Sequence, residues 1–146
     1  MPNKRKLHVI PDSVVLVSAF LTKKGLTAEL LTLCGEKTNV YTAEEILQET
    51  RRVLLEEDRI RKKYTYRDVD VEEFLETVRE MSTIMTPLPN LRVIERDPKD
   101  DMVIACAVTA QADYIVSRDR DLLDLGEYQG IRIVTPEVFI QYLRTL

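Results

Sequence analysis

The chain has 146 residues but one histidine, two cysteines and four glycines. With His8 as the only imidazole, no histidine general base is indicated. The glycines do not cluster, so the glycine-rich turn of a Rossmann-type nucleotide binder is missing. Cys34 and Cys106 fall in apolar helical stretches, where free buried thiols in a reducing cytoplasm are expected rather than a disulfide or a metal pair. No run of about 18 apolar residues occurs, which excludes a membrane-spanning helix. The opening MPNKRKLHVIPD is basic, but its apolar run is too short for a secretory h-region. Internal repeats, linkers and low-complexity segments are absent. The expectation is one cytoplasmic domain over residues 1–146.

What is present is an ordinary globular balance, 45% hydrophobic and 32% charged, enough for a real core. The net charge of −4 does not advertise nucleic-acid binding, yet it is unevenly spread. Residues 51–67 hold seven basic groups, including Arg51, Arg52, Arg61, Lys62 and Lys63, against three acids. That local +4 leaves −8 for the remainder. A basic lobe beside an acidic pocket suits an anionic polymer held over a metal. A solvated, mixed-charge helix connection explains the same run by itself. Tyr64 and Tyr66 stand among these cations and suit either base stacking or core packing.

Strand and helix patterns alternate along the chain. Leu7 to Ile10 reads as a strand ended by Pro11. VVLVSAFL is ambiguous by composition, and Asp12 as N-cap with Gly25 as stop argues for helix. A second helix is expected over roughly Thr27 to Cys34 and a strand over Asn39 to Thr42. Thr42 is then expected to cap a helix with Glu45 completing a capping box. The apolar stripe of that helix is Ile46, Leu47, Thr50, Val53 and Leu54, and Glu49 borders it. Asp68 to Met85 reads as an amphipathic helix ended by Pro87 and Pro89, followed by a strand at Leu91 to Ile94. Asp100 or Asp101 caps the next helix. Tyr114–Val116 and Ile131–Val134 are strands, and Thr135–Pro136 opens the last helix. The sum is a three-layer α/β domain with a mainly parallel sheet.

Ligands of such sheets bind beyond the carboxyl ends of the strands. Asp12 follows the first strand, Asp119 follows the Tyr114–Val116 strand, Asp100 starts the intervening helix and Glu49 reaches in from a flanking helix. Carboxylates gathered there repel one another unless a divalent cation neutralises them, and such sites commonly act on phosphates. Oxygen ligands without Cys or His select Mg²⁺ or Mn²⁺ rather than zinc. Each acid also has a local role. Asp12 and Asp100 are good caps, Asp119 suits a turn, and Glu49 suits an ion pair with Arg52 or Arg118. Asp97, Asp101, Asp121 and Asp124 read as loop or capping acids, and His8 as a packed strand residue. Only the joint occurrence of the four acids favours a site. A dehalogenase-type phosphatase would want an Asp at position 14, where Val14 stands, and the acid order of a receiver domain is not matched.

These segments resemble the PIN domain family. HVIPDSVVLVSAF is similar to its opening strand, Asp and helix. TAEEILQETRRVL resembles the helix carrying its second acid, DPKDDMVIACAVTAQADYIVSRDRDLL its third and fourth acid segments, and IRIVTPEVFIQYL its closing strand and helix. The subgroup resembled is the toxin component of toxin–antitoxin systems. The resemblance implies a five-stranded parallel sheet and a ribonuclease dependent on Mg²⁺ or Mn²⁺, leaving a 5′-phosphate. It matches Asp12, Glu49, Asp100 and Asp119 to the family's four acids, as metal ligands and catalytic groups. Asp100 is preferred to Asp101 because Ala105 and Ala107 then fall on the family's small positions. Ser117 matches a hydroxyl residue that precedes the last acid, and Asp121 is expected to support that loop. RNA is the implied substrate, contacted by Arg51, Arg52, Arg61, Lys62, Lys63 and Arg118. A cognate antitoxin and a homodimer are the implied partners. Where the family commonly reads Asp-Thr-Asn, this chain reads Asp12–Ser13–Val14, and Pro11 replaces a usual strand residue. The alternative is therefore a catalytically weak or inactive PIN-like module that binds RNA or protein.

Overall fold

The computed structural model describes residues 5–86, 88–94 and 98–146. Pro87 and Asp97 lie outside the described residues. The elements run β1 (His8–Pro11), α1 (Ser13–Leu21), α2 (Leu26–Lys37), β2 (Asn39–Thr42), α3 (Glu44–Glu56), α4 (Asp58–Lys63), α5 (Asp68–Met81), β3 (Ser82–Ile84), α6 (Pro98–Thr109), β4 (Tyr114–Val116), α7 (Arg120–Leu125), β5 (Glu127–Tyr128), β6 (Ile131–Val134) and α8 (Pro136–Leu143). The sheet order is β3-β2-β1-β4-β6-β5. Five strands are parallel, as expected, and the two-residue β5 pairs antiparallel at the edge.

Three layers follow from the period-2 alternation of the strands. Ile10, Ile115 and Ile133 point into a core with Ile46, Leu47 and Leu54 of α3, Val71 and Leu75 of α5 and Ile104 of α6. Val9, Val40 and Val116 point the other way, onto Leu30 and Cys34 of α2 and Phe139 and Leu143 of α8. Helix α1 feeds both cores, Leu16 and Phe20 entering the first and Val15 the second. A helix enclosed on both sides has no polar face, which is why its composition reads equally as a strand. The Asp12 cap breaks the tie: the Val15 N–H donates to Asp12 Oδ1 at 2.8 Å.

Four expectations need correction. Helix α6 opens at Pro98, so Asp100 and Asp101 lie inside its first turn and neither caps it. The helix expected to run to Met85 stops at Met81, because Ser82–Ile84 pairs with β2 in the register Val40↔Ser82 and Thr42↔Ile84. Leu91 to Ile94 is not a strand. The N–H groups of Val93 and Ile94 donate to Asp101 Oδ1, at 2.9 and 2.7 Å, instead of to a neighbouring strand. Thr42 does not cap α3; it ends β2, with its carbonyl taking the Met85 N–H at 2.8 Å, and Ala43 occupies the cap without a side-chain bond. The short helices α4 and α7 and strand β5 carry too few residues to show a period.

Both thiols are free and buried in helices, and burial pushes each up to about 12. His8 is a packing residue: its Nδ1 bonds the Ala110 carbonyl at 2.8 Å and its ring lies 4.7 Å from that of Tyr41. Since a carbonyl only accepts, Nδ1 carries the proton. No helix among the described residues is long and apolar enough to cross a membrane.

Candidate metal centre

The pairing of β1 with β4 sets the site. In the register Pro11↔Val116, the residues that follow the two strands emerge side by side at the carboxyl edge of the sheet. The Asp12 N–H closes the ladder on the Val116 carbonyl at 3.0 Å. Pro11, which donates no hydrogen bond, stands as the final strand residue.

Asp12 is 2% exposed. Its Oδ1 caps α1 and its Oδ2 accepts a bond from the Ser117 hydroxyl. The same Ser117 oxygen accepts the Asp119 N–H at 2.9 Å, so one hydroxyl ties the acid after β1 to the acid after β4. Burial, the largest influence, pushes the Asp12 carboxyl from its ordinary 3.8 up to about 6. The bonds from Ser117 and Val15 oppose that push, and the charge of Asp119 adds to it. A carboxylate this buried, facing another carboxylate, is electrostatically suited to a cation.

Asp119 caps α7, its Oδ1 accepting the N–H groups of Asp121 at 2.9 Å and Leu122 at 3.2 Å. That cap turns Asp121 back towards Asp119. Asp100, 6% exposed, arrives in the first turn of α6, where a carboxylate is favoured by the helix dipole. One oxygen each of Asp100, Asp119 and Asp121 lie within 4.8 Å of one another, a spacing that one ion can bridge. The donors are all carboxylate oxygens, which fits a hard divalent cation. Asp121, expected only as a support for the loop, therefore stands inside the cluster. The signal available in the sequence was its place two residues after Asp119, where an N-capped turn folds back.

Asp101 plays a different part from its neighbour. It is not in the three-acid cluster and clamps the 88–94 segment through Val93 and Ile94, whereas Asp100, preferred over it from the sequence, is in the cluster. Replacing Asp101 with Ala strands two N–H groups, and loss of hydrogen-bonded partners costs about 1–3 kcal/mol each when the group is buried. The expected result is faster amide exchange at Val93 and Ile94, with exchange at Ile115 unchanged; wild-type exchange at Val93 and Ile94 in the variant would show that the clamp is not made.

Glu49 lies outside the three-acid cluster. Arg52 grips it with two nitrogens, at 2.8 and 3.2 Å, and the Lys99 ammonium lies 3.0 Å away. Arg52, first, and Lys99 hold its carboxyl below the usual carboxylate range. Arg118 is not its partner and pairs with Glu137 at 2.8 Å. Lys99 was not among the residues singled out from sequence; its position one before Asp100 was the only clue.

The expected nucleic-acid contacts divide. Arg51 pairs with Glu72 at 2.6 Å, Arg52 with Glu49 and Glu57, and Arg61 with Asp68 at 2.8 Å. Lys62 and Lys63 stand exposed, the Lys63 ammonium 5.6 Å from the centre of the Tyr64 ring. A cavity of about 840 Å³ is bounded by Leu88, Leu91, Glu45, Lys99, Asp101 and Met102, and none of Asp12, Asp100, Asp119 and Asp121 lines it.

A three-layer α/β domain that gathers aspartates from separate chain segments at the carboxyl edge of a parallel sheet defines a nuclease-like architecture. The PIN domain family pattern matches residues 8–121, and the chain belongs to that family. PIN domains are generally nucleases and typically bind divalent metals. The chain is 29% identical over 147 residues to the uncharacterized protein MJ1680 of Methanocaldococcus jannaschii, covering 94% of this chain and 92% of that one. Its fold is also similar to the crystal structure of PAE2754 from Pyrobaculum aerophilum. There the TM-score is 0.62 at 16% identity, over 96% of this chain and 91% of the other.

Proposed function

We propose that the protein is a metal-dependent endoribonuclease, the toxin half of a toxin–antitoxin pair, using Mg²⁺ or Mn²⁺ to hydrolyse RNA phosphodiester bonds. The observation that carries this reading is the convergence of Asp100, Asp119 and Asp121 within 4.8 Å, beside the buried Asp12. Asp100, Asp119 and Asp121 would hold the ion, and Asp12, tied to Asp119 through Ser117, would add negative charge beside it. When bound, the ion polarises the scissile phosphate and supplies a nucleophilic water at neutral pH. Ser117 fixes the separation of Asp12 from Asp119, and the α7 cap holds Asp119 still, so little reorganisation is needed at the moment of reaction. Glu49 presents its carboxylate from α3 beside Lys99, which brings a cation to the rim where an RNA phosphate would lie. The exposed Lys62 and Lys63 hold the polymer, and an antitoxin encoded nearby and a second copy of the chain are the proposed protein partners.

A second reading has a specific observation behind it. Val14 is 47% exposed in the first turn of α1 beside Asp12 and supplies no polar group there. A non-catalytic binding module is the outcome if that gap costs the ion. Calorimetric titration with Mn²⁺ tests the proposal. Binding at or below millimolar metal is expected, lost in Asp100→Asn, together with RNA cleavage that stops in EDTA. Absence of binding at millimolar metal would favour the non-catalytic module.

A further inference from the structure

A second cavity, about 340 Å³, opens at the far end of α1 from the acids. Nine residues of helix separate them, roughly 13 Å at 1.5 Å per residue. Phe20 and Tyr66 form one wall, edge to face at 5.0 Å, and Tyr64 lines the opening. Lys23 and Lys24 stand over it from the turn between α1 and α2, both exposed. That turn is tight: the Gly25 N–H closes onto the Thr22 carbonyl at 2.9 Å, and a side chain at Gly25 would meet Thr22 Cγ2 at 2.8 Å. The turn therefore fixes the backbone from which both lysines project.

We propose that this cavity is a second RNA-binding site, taking one base against Tyr64 and the neighbouring phosphates against Lys23 and Lys24. The inference rests on the ribonuclease reading for its choice of polymer. The charge pattern supports a polyanion. Among the acids nearby, Asp68 pairs with Arg61 at 2.8 Å, and Asp70, which itself lines the cavity, pairs with Arg67 at 3.0 Å and feels the charge of Lys23, while Lys24 makes no ion pair among the described residues. The aromatic pattern supports a base. Tyr66 is committed to the fold through its hydroxyl, which donates to the Leu54 carbonyl at 2.6 Å, whereas the half-buried Tyr64 lines the cavity with the Lys63 ammonium 5.6 Å from its ring centre. Every base has a π-face, so such a platform accepts RNA of any sequence. Its volume lies in the range of small-ligand sites. A stacked strand rises about 3.4 Å per nucleotide, so at least about four nucleotides separate this site from the acids. Long RNA then engages both sites and very short RNA only one.

The test measures binding of a fluorescein-labelled 20-nucleotide single-stranded RNA in EDTA, where cleavage is off. The double variant Lys23→Glu/Lys24→Glu should weaken binding at least about tenfold and flatten the log–log salt slope by about 1.4, at roughly 0.7 per phosphate on a single strand. Tyr64→Leu should weaken it about five- to hundredfold, and Tyr64→Phe should restore it. The lysine pair keeps the test decisive if Tyr64→Leu does not fold. Wild-type affinity and slope in the lysine variant would overturn the second site while leaving the nuclease reading intact. Loss of binding in these variants, in a wild-type protein that cleaves no RNA with Mn²⁺, would uphold the site and remove the nuclease. Binding of a polyglutamate peptide as tightly as the RNA, indifferent to Tyr64→Leu, would give the lysines to an acidic protein partner and overturn the RNA assignment.

Discussion

Asp119→Asn is expected to reduce RNA cleavage about 10³-fold or more while leaving the fold intact. Two properties of the residue separate in this substitution. As the cap of α7, Asp119 needs only an oxygen to accept the Asp121 and Leu122 N–H groups, and Asn supplies one. As a member of the acidic cluster it supplies a charge, and Asn does not. Loss of one ligand charge from a catalytic ion costs several kcal/mol of transition-state stabilisation, and about 4 kcal/mol is three decades in rate at 1.36 kcal/mol each. Initial rates on an end-labelled RNA in Mn²⁺ measure the effect, with a thermal melt beside them to show the cap has survived. Cleavage at the wild-type rate by a folded Asp119→Asn protein would remove Asp119 from the chemistry and, with it, the proposed centre.

Asp12→Asn should make the metal-free protein more stable at neutral pH, by up to about 3 kcal/mol. The cause is the buried carboxylate. Its pKa stands at about 6 in the folded chain against an ordinary 3.8, so folding favours the protonated form. Below about pH 4 the group is protonated in both states and costs nothing. As pH rises from about 4 through 6 the unfolded chain ionises first, and folded stability falls until both states are charged. The difference between 3.8 and about 6 corresponds to about 3 kcal/mol. Asn at this position accepts the Val15 N–H without a charge to desolvate, so the variant escapes the penalty. Urea denaturation in EDTA at about pH 4 and about pH 7.5 reads it directly: the wild type should lose stability relative to Asp12→Asn between the two. Mn²⁺ should then stabilise the wild type more than the variant, because a bound cation returns what the desolvated carboxylate costs. A wild-type protein that gains on the variant as pH rises would show that Asp12 is not a strained carboxylate, and the electrostatic case for a cation beside it would fall.

How far the chain could be read in advance depended on how local each cause was. Strands Asn39–Thr42, Tyr114–Val116 and Ile131–Val134 came out at their observed ends, since short β-branched runs between turn residues are a local signal. Thr135 caps α8 through the Val138 N–H with Pro136 at the first helical position, as their order announces. Leu91–Ile94 carries the same kind of signal and is no strand. Its amides found a carboxylate, Asp101, before they found a sheet edge, and Ser82–Ile84 took the place beside β2. Propensity fixes what a segment can pair with, and packing chooses the partner.

The site divides along the same line. The chain's residue order by itself determined that aspartates stand after β1, at the start of α6 and after β4, because each also caps or opens a helix in the next few residues. A hard cation was the expectation that followed, since the one histidine, His8, packs against Ala110 and Tyr41 and both thiols are buried. Tertiary structure alone decided which acids meet. The β1–β4 pairing brought Asp12 to Asp119 through Ser117, the α7 turn folded Asp121 into the cluster, and Glu49, paired with Arg52 and Lys99, is not part of it. Capping acts over three residues of backbone and is written in the local sequence; charge neutralisation acts through space, and only the packed chain sets those distances.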